Sequence, residues 1–124
     1  MAFEGYIHNN NAAMSVALNN VPPGVYNFIA YGVGFSFNAT YEQSFSLAGA
    51  DLSPTLHVKA QTGLDFGANP VLTRMASTDA GARDFGNYVM FENVSPDASG
   101  NLTLFVTPES PNPGNLLLDR KSVV

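Results

Sequence analysis

Apolar and polar residues alternate with a period of two along several short stretches of the chain. Every second residue is apolar in residues 14–18 and again in residues 102–106. Because successive side chains of a β-strand point to opposite faces, this pattern places one face of each stretch inward. Residues 25–33 are largely apolar on both faces, which is typical of a central strand.

Clusters of Pro, Gly and Asn separate these stretches, as in residues 19–24 and 95–100. Prolines fix φ and glycines accept positive φ, so both clusters predict turns. Residues 87–94 and 101–107 form the clearest pair of strands, joined by the second turn. Further strands are predicted over residues 3–8, 41–47 and 55–60. Residues 61–86 are the longest irregular region, in which residues 71–76 could form a helical turn.

About seven or eight short strands separated by such turns predict an all-β fold, an antiparallel β-sandwich of the jelly-roll type. We expect one sandwich domain over residues 1–108. Residues 109–124 look like a linker, with a candidate closing strand at 116–118 followed by a tail. We find no internal repeat and no low-complexity tract.

The composition favours an exported protein of bacterial, archaeal or viral origin, secreted or held at the cell surface. Charged residues make up only 12% of the chain, about half the usual share, so Asn, Ser and Thr must cover much of its surface. The chain has no cysteine, whereas small secreted eukaryotic domains usually carry disulfides. The first four residues show no basic region followed by an apolar block. The prediction of export therefore depends on composition, and we expect an excised part of a longer protein.

The net charge of −5 excludes partners that need a basic patch, namely nucleic acid and anionic membranes. No stretch approaches the roughly 20 apolar residues of a membrane helix. We therefore expect a neutral or cationic ligand, no membrane insertion, and a chain that could form a homo-oligomer.

Two stretches resemble the galactose-binding-domain-like sandwiches of large secreted or surface proteins of environmental bacteria. They are residues 18–32, which contain Val-Pro-Pro-Gly before a strand ending in Tyr-Gly, and residues 88–104, which contain Asp-Ala-Ser-Gly before an alternating strand. The resemblance implies a fold like that of carbohydrate-binding modules. The family pattern closes with an apolar strand that begins with Asn. Residues 115–118 of this chain match that strand only loosely.

Sugar recognition requires aromatic rings that stack on a pyranose and planar polar groups that pair with its hydroxyls. Tyrosines near strand ends are the preferred rings. In the loop at residues 78–88, Arg83 offers a fork of N–H donors, Asp84 an acceptor and Asn87 an amide. An ion pair between Arg83 and Asp84 that stabilises the loop would explain the same residues. The predicted ligand-binding residues are Tyr6, His8, Tyr31, Arg83, Asp84, Asn87 and Tyr88.

Metal and cofactor motifs are weak. The two histidines, His8 and His57, are far apart and match no zinc spacing. No cofactor is predicted, although a structural calcium ion held by loop carbonyls and a carboxylate such as Asp51, Asp65 or Asp79 is an open alternative.

Catalytic motifs are missing as well, since no nucleophile elbow and no dinucleotide fingerprint occur. We therefore predict a non-catalytic carbohydrate-binding module, recognising a neutral or cationic polysaccharide through aromatic stacking and amide or Arg hydrogen bonds. A structural or adhesive domain that self-associates through strand edges is the first alternative, and a small hydrolase is the second.

Overall fold

Strands account for most of the chain that can be described. The computed structural model describes residues 13–33, 40–61, 72–86, 88–109 and 115–118. Its strands are β1 (Met14–Leu18), β2 (Tyr26–Val33), β3 (Thr40–Ala48), β4 (Leu56–Gln61), β5 (Asp84–Gly86), β6 (Tyr88–Val94), β7 (Leu102–Pro108) and β8 (Asn115–Leu118). No helix occurs in these ranges. The predicted first strand at residues 3–8 lies outside them.

The strands form two sheets. One has the order β1-β7-β3-β4-β5 and the other the order β6-β2-β8. Neighbouring strands are antiparallel, except that β5 runs parallel to β4. The prediction of an all-β chain with antiparallel sheets is thus confirmed. The candidate closing strand at 116–118 falls in β8. This strand pairs with β2, which is the central strand of the smaller sheet.

One hydrophobic cluster contains residues of both sheets, so the sheets pack face to face. Phe28 of β2 and Phe91 of β6 meet edge to face, with ring centroids 6.5 Å apart. Alternate residues of β7 and β6 are buried, as the period of two predicts. Buried apolar side chains of this kind supply most of the free energy of folding. The core residues are Phe28, Ala30, Phe45, Leu47, Leu56, Val58, Met75, Val89, Phe91, Leu102, Leu104 and Val106.

β6 and β7 do not pair with each other, although they are joined by a short turn. β6 lies in the three-stranded sheet and β7 in the five-stranded sheet. The turn is stabilised by Asp97, whose Oδ1 accepts the N–H groups of Ser99 (2.9 Å) and Asn101 (3.0 Å). Both strands are apolar on one face, so they cover the same core from opposite sides.

Residues 73–77 cross one open side of the two sheets. The N–H of Met75 donates to the carbonyl of Tyr88 (2.8 Å), and the N–H of His57 donates to the carbonyl of Ser77 (2.8 Å). This segment therefore connects β6 to β4 and buries the Met75 side chain completely. The expected helical turn at 71–76 is wrong for the described residues 72–76, because their backbone groups pair with β6 instead of with each other.

Candidate functional site

A cleft lies where the loop after β3 faces the edge strand β6, and we call it the β6 cleft. Its volume is about 370 Å³, which is in the range of small-ligand sites. The cleft is lined by Leu47, Gly49, Ala50, Asp51, Leu52, Ser53, Pro54, Leu56, Arg74, Ala76, Met90, Phe91, Glu92, Asn93, Val94 and Ser95.

The loop of residues 49–54 is held in place by hydrogen bonds at both ends. Ser53 Oγ accepts the N–H of Leu47 (2.8 Å), and the N–H of Ala50 donates to the carbonyl of Ser95 (2.9 Å). These bonds leave Asp51 and Leu52 exposed at the cleft. The loop therefore presents a carboxylate and an apolar side chain on a fixed backbone.

Arg74 forms the polar side of the cleft. Its Nη1 donates to Glu92 Oε1 (3.0 Å) and its Nη2 donates to the carbonyl oxygen of Met90 (3.1 Å). The guanidinium thus lies along the outer edge of β6, where a neighbouring strand would otherwise pair. Both charged side chains stay accessible, with exposed fractions of 38% for Arg74 and 50% for Glu92. Such a fork of donors beside a carboxylate can exchange hydrogen bonds with a polyhydroxylated ligand.

Apolar groups form the other side of the cleft. Leu56 and Phe91 are buried at its base, while Met90 and Val94 are half-buried. The rim carries two carboxylates, Asp51 and Glu92, and one guanidinium, Arg74, so its net charge is −1. The cleft is consequently part apolar and weakly acidic, which disfavours an anionic ligand.

The predicted ligand-binding residues do not come together in this cleft. Tyr31 lies on β2, and only 7% of its surface is exposed. The centroid of its ring is 6.0 Å from that of Tyr88. Asp84 accepts the N–H of Ala76 (2.9 Å). Tyr6, His8 and Asn87 lie outside the described residues.

Arg83 belongs to an ionic cluster on the outer face of the five-stranded sheet, which consists of Glu42, His57, Lys59, Arg83 and Glu109. Arg83 Nη1 is 3.1 Å from Glu109 Oε1 and its Nε is 3.7 Å from Glu42 Oε2. Its side chain is only 10% exposed. Arg83 and Asp84 bond to different partners: Arg83 pairs with Glu42 and Glu109, and Asp84 accepts the N–H of Ala76.

Glu109 joins this cluster to the chain beyond β7. Its Oε1 is 2.9 Å from His57 Nδ1, and its N–H donates to the carbonyl of Glu42 (2.9 Å). Burial raises the pKa of the Glu109 carboxyl, but hydrogen bonds and positive charge from Arg83 and His57 outweigh it. The net result is a pKa below the ordinary value of a glutamate.

We expect Glu109 to make the protein less stable in acid. A carboxyl whose pKa is lowered by folding stabilises the native state above its unfolded pKa. That contribution is lost as the pH falls through the lower folded value. Since the Arg83–Glu109 ion pair is partly solvated, Glu109→Gln should reduce the free energy of unfolding at pH 7 by no more than about 1 kcal/mol.

Urea denaturation at pH 7 and at pH 3 measures this effect. The difference in the free energy of unfolding between wild type and Glu109→Gln should shrink at pH 3. A difference that stays constant with pH would contradict the assignment.

The residues that the structure describes contain no group of three His, Asp or Glu side chains that could hold a metal ion. Asp79, one of the calcium candidates, accepts the N–H of Gly81 with its Oδ1 (2.8 Å) and so stabilises its own turn. Asp51 is an exposed residue of the β6 cleft, and Asp65 lies outside the described ranges.

Sequence reasoning missed Arg74, Glu92 and Asn93 as cleft residues. Arg74 lies in the region interpreted as irregular, and it is 18 positions from Glu92 in the chain. The alternation on β6 does place Glu92 opposite the buried face. No sequence signal, however, connects that position with residue 74.

Comparison with protein-family models, with curated proteins and with solved structures found no match to this chain. Within the described residues no helix is long and apolar enough to cross a membrane.

Proposed function

We propose that the protein is a non-catalytic carbohydrate-binding module with a jelly-roll or galactose-binding-domain-like sandwich fold, exported from the cell or held at its surface. The β6 cleft is the binding site in this proposal. The observation that carries it is the Arg74–Glu92 pair, which opens onto a concavity with an apolar base of Leu56 and Phe91. Polar groups that converge over an apolar surface are the usual chemistry of small-molecule and sugar sites.

The ligand is a neutral or cationic polysaccharide, for three reasons. Pyranose rings have apolar C–H faces for Met90 and Leu52, and hydroxyls for the guanidinium and the Asn93 amide. The surplus carboxylate of the cleft would repel uronic acids and sulfated sugars, and would attract an amino sugar. The cleft is also open at its rim, which allows a chain to pass through.

The exposure of Glu92 supports binding over catalysis. A glycosidase needs a carboxylic acid whose pKa is raised by an apolar pocket, so that it can donate a proton near neutral pH. Glu92 is half exposed and paired with a guanidinium, so it does not lie in the apolar pocket that such an acid requires.

Affinity electrophoresis against soluble neutral, aminated and anionic polysaccharides tests this function. We expect retardation by at least one neutral or aminated glycan, and Arg74→Gln should weaken that affinity by about tenfold, the effect of losing one or two charge-assisted hydrogen bonds. Lys59→Gln is the matched control, because it removes the same charge from the outer face of the other sheet.

Three outcomes would overturn the proposal: no retardation by any polysaccharide, retardation by anionic ones alone, or equal losses in Arg74→Gln and Lys59→Gln. Circular dichroism of each variant verifies that the fold is retained.

Self-association through strand edges is a second candidate, favoured by one observation. Beyond Tyr88, the outer edge of β6 is paired with no other strand of the described chain, and the Arg74 side chain lies along it. Unpaired edges template the addition of another strand. Light scattering that shows a dimer in wild type and a monomer after a proline substitution at Met90 would favour this candidate.

A further inference from the structure

Asp51 differs from the other aspartates of the described chain in the bonds that its carboxylate makes. Asp79 and Asp97 each accept backbone N–H groups of their own turns with Oδ1, and Asp84 accepts the N–H of Ala76. An aspartate in a turn usually contributes in this way, because its side chain replaces a backbone acceptor. The carboxylate of Asp51 accepts no hydrogen bond from a described residue, so stabilisation of its own turn does not account for it.

The ion pairs show the same contrast. The glutamates of the described chain all pair with basic side chains, namely Glu42 with Lys59 (3.9 Å), Glu92 with Arg74 (3.0 Å) and Glu109 with Arg83 (3.1 Å). Asp51 pairs with no basic group among the described residues. Because Arg74 neutralises Glu92, the net charge of −1 at the rim of the β6 cleft resides on Asp51.

The backbone of Asp51 is fixed at this rim. Its carbonyl oxygen accepts the N–H of Gly49 (3.0 Å), and Ala48 and Leu52 form an antiparallel bridge around it. The side chain of Leu52 is 71% exposed. A carboxylate and an apolar side chain therefore stand next to each other on a hydrogen-bonded turn, which reduces the entropy that is lost when a ligand binds.

These two groups complement a protonated amino sugar. Its ammonium group is opposite in charge to Asp51 and donates a charge-assisted hydrogen bond, which is about twice as strong as one between neutral groups. Its C–H groups match the apolar side chain of Leu52. A neutral sugar offers the carboxylate only hydroxyl donors, and a uronic acid is repelled.

We propose that the β6 cleft selects polymers of amino sugars, and that Asp51 is the residue that recognises their ammonium groups. The inference rests on the proposed function, because it requires that the cleft binds a polysaccharide. Arg74 and Asn93 bind hydroxyls, which all such chains carry. Asp51 sets the preference for a chain with free amines over the same chain with acetylated amines.

Titration calorimetry with glucosamine and N-acetylglucosamine oligomers of equal length tests the inference, at about pH 5.5, where a free amine carries its proton. We expect wild type to bind the glucosamine oligomer about fivefold more tightly, the upper end of the effect of an exposed ion pair. Asp51→Asn keeps the shape of the side chain and should reduce the ratio of the two affinities to about one. High salt should do the same to wild type, because it screens the pair.

Asp79→Asn is the matched control, because it removes the same charge from an exposed turn that does not line the cleft. It should keep the preference of wild type. The inference is overturned if wild type binds both oligomers equally, if Asp51→Asn keeps the preference, or if both variants lose it to the same extent. Oligolysine that competes as well as the glucosamine oligomer at equal amine concentration would also overturn it, because charge alone would then be recognised.

The inference and the proposed function fail in different ways. If a polysaccharide binds and Arg74→Gln weakens its binding, but wild type does not prefer the aminated oligomer, only the inference fails. If no glycan of any kind binds, both fail.

Discussion

Gly49→Ala is expected to destabilise the protein by about 3 kcal/mol, at the upper end of the cost of overpacking a core. A Cβ atom at this position would overlap the carbonyl oxygen of Ser95 and lie 2.7 Å from Leu102 Cδ2. The Ser95 carbonyl cannot easily move, because it accepts the N–H of Ala50. The added methyl group must therefore separate the end of β3 from the turn after β6.

Gly81→Ala is the matched control for this prediction. The nearest atom to a Cβ there is Asp79 Oδ1 at 3.3 Å, in an exposed turn, so its effect should stay within about 0.5 kcal/mol. Chemical denaturation compares the free energies of unfolding of the two variants with that of wild type. Equal effects would show that the contact between Gly49 and Ser95 does not constrain the fold.

Gln43→Met is expected to stabilise the protein by about 1–3 kcal/mol, the cost of burying an amide without hydrogen bonds. Gln43 is completely buried on β3, where its neighbours in the sheet are Val58 and Pro108. Neither Nε2 nor Oε1 has a hydrogen-bond partner in the described part of the chain. Met has the same unbranched length and no amide, so it fills the same space without the polar cost.

Thermal and urea denaturation measure the gain, with two further variants as controls. Gln43→Ala should destabilise the protein, because it leaves a cavity. Gln43→Glu should destabilise it more at pH 7 than at pH 4, because a buried carboxylate must be neutralised. A loss of stability in Gln43→Met would contradict the prediction, and would mean that the amide is satisfied in the native state.

Strand positions follow well from sequence because they depend on local chemistry. The alternation of Met14, Val16 and Leu18 on β1, and of the apolar residues on β7, predicts which face is buried, and the structure confirms it. Prolines and glycines mark the turns, since their backbone preferences hold in any context. The helical turn expected near residue 74 fails because that backbone pairs with Tyr88, which is distant in the sequence.

Ligand-site residues follow less well, because a site combines residues from several strands. Tyr31 looks like an exposed ring next to a glycine, yet it is buried against Tyr88. Arg83 looks like a loop donor, yet the order of β3, β4 and β5 brings it to Glu109 and Glu42. A side chain at a strand end can point into a core, a cluster or solvent, and the chain on either side of it does not distinguish these outcomes.

The amino-acid sequence by itself determined the all-β class, most strand positions and their buried faces, because side-chain periodicity and turn chemistry act over a few residues. Only the tertiary structure decided that β6 and β7 lie in different sheets, that Met75 closes the core and that Arg74 meets Glu92. These contacts join residues far apart in the chain, and they depend on how the two sheets are packed together.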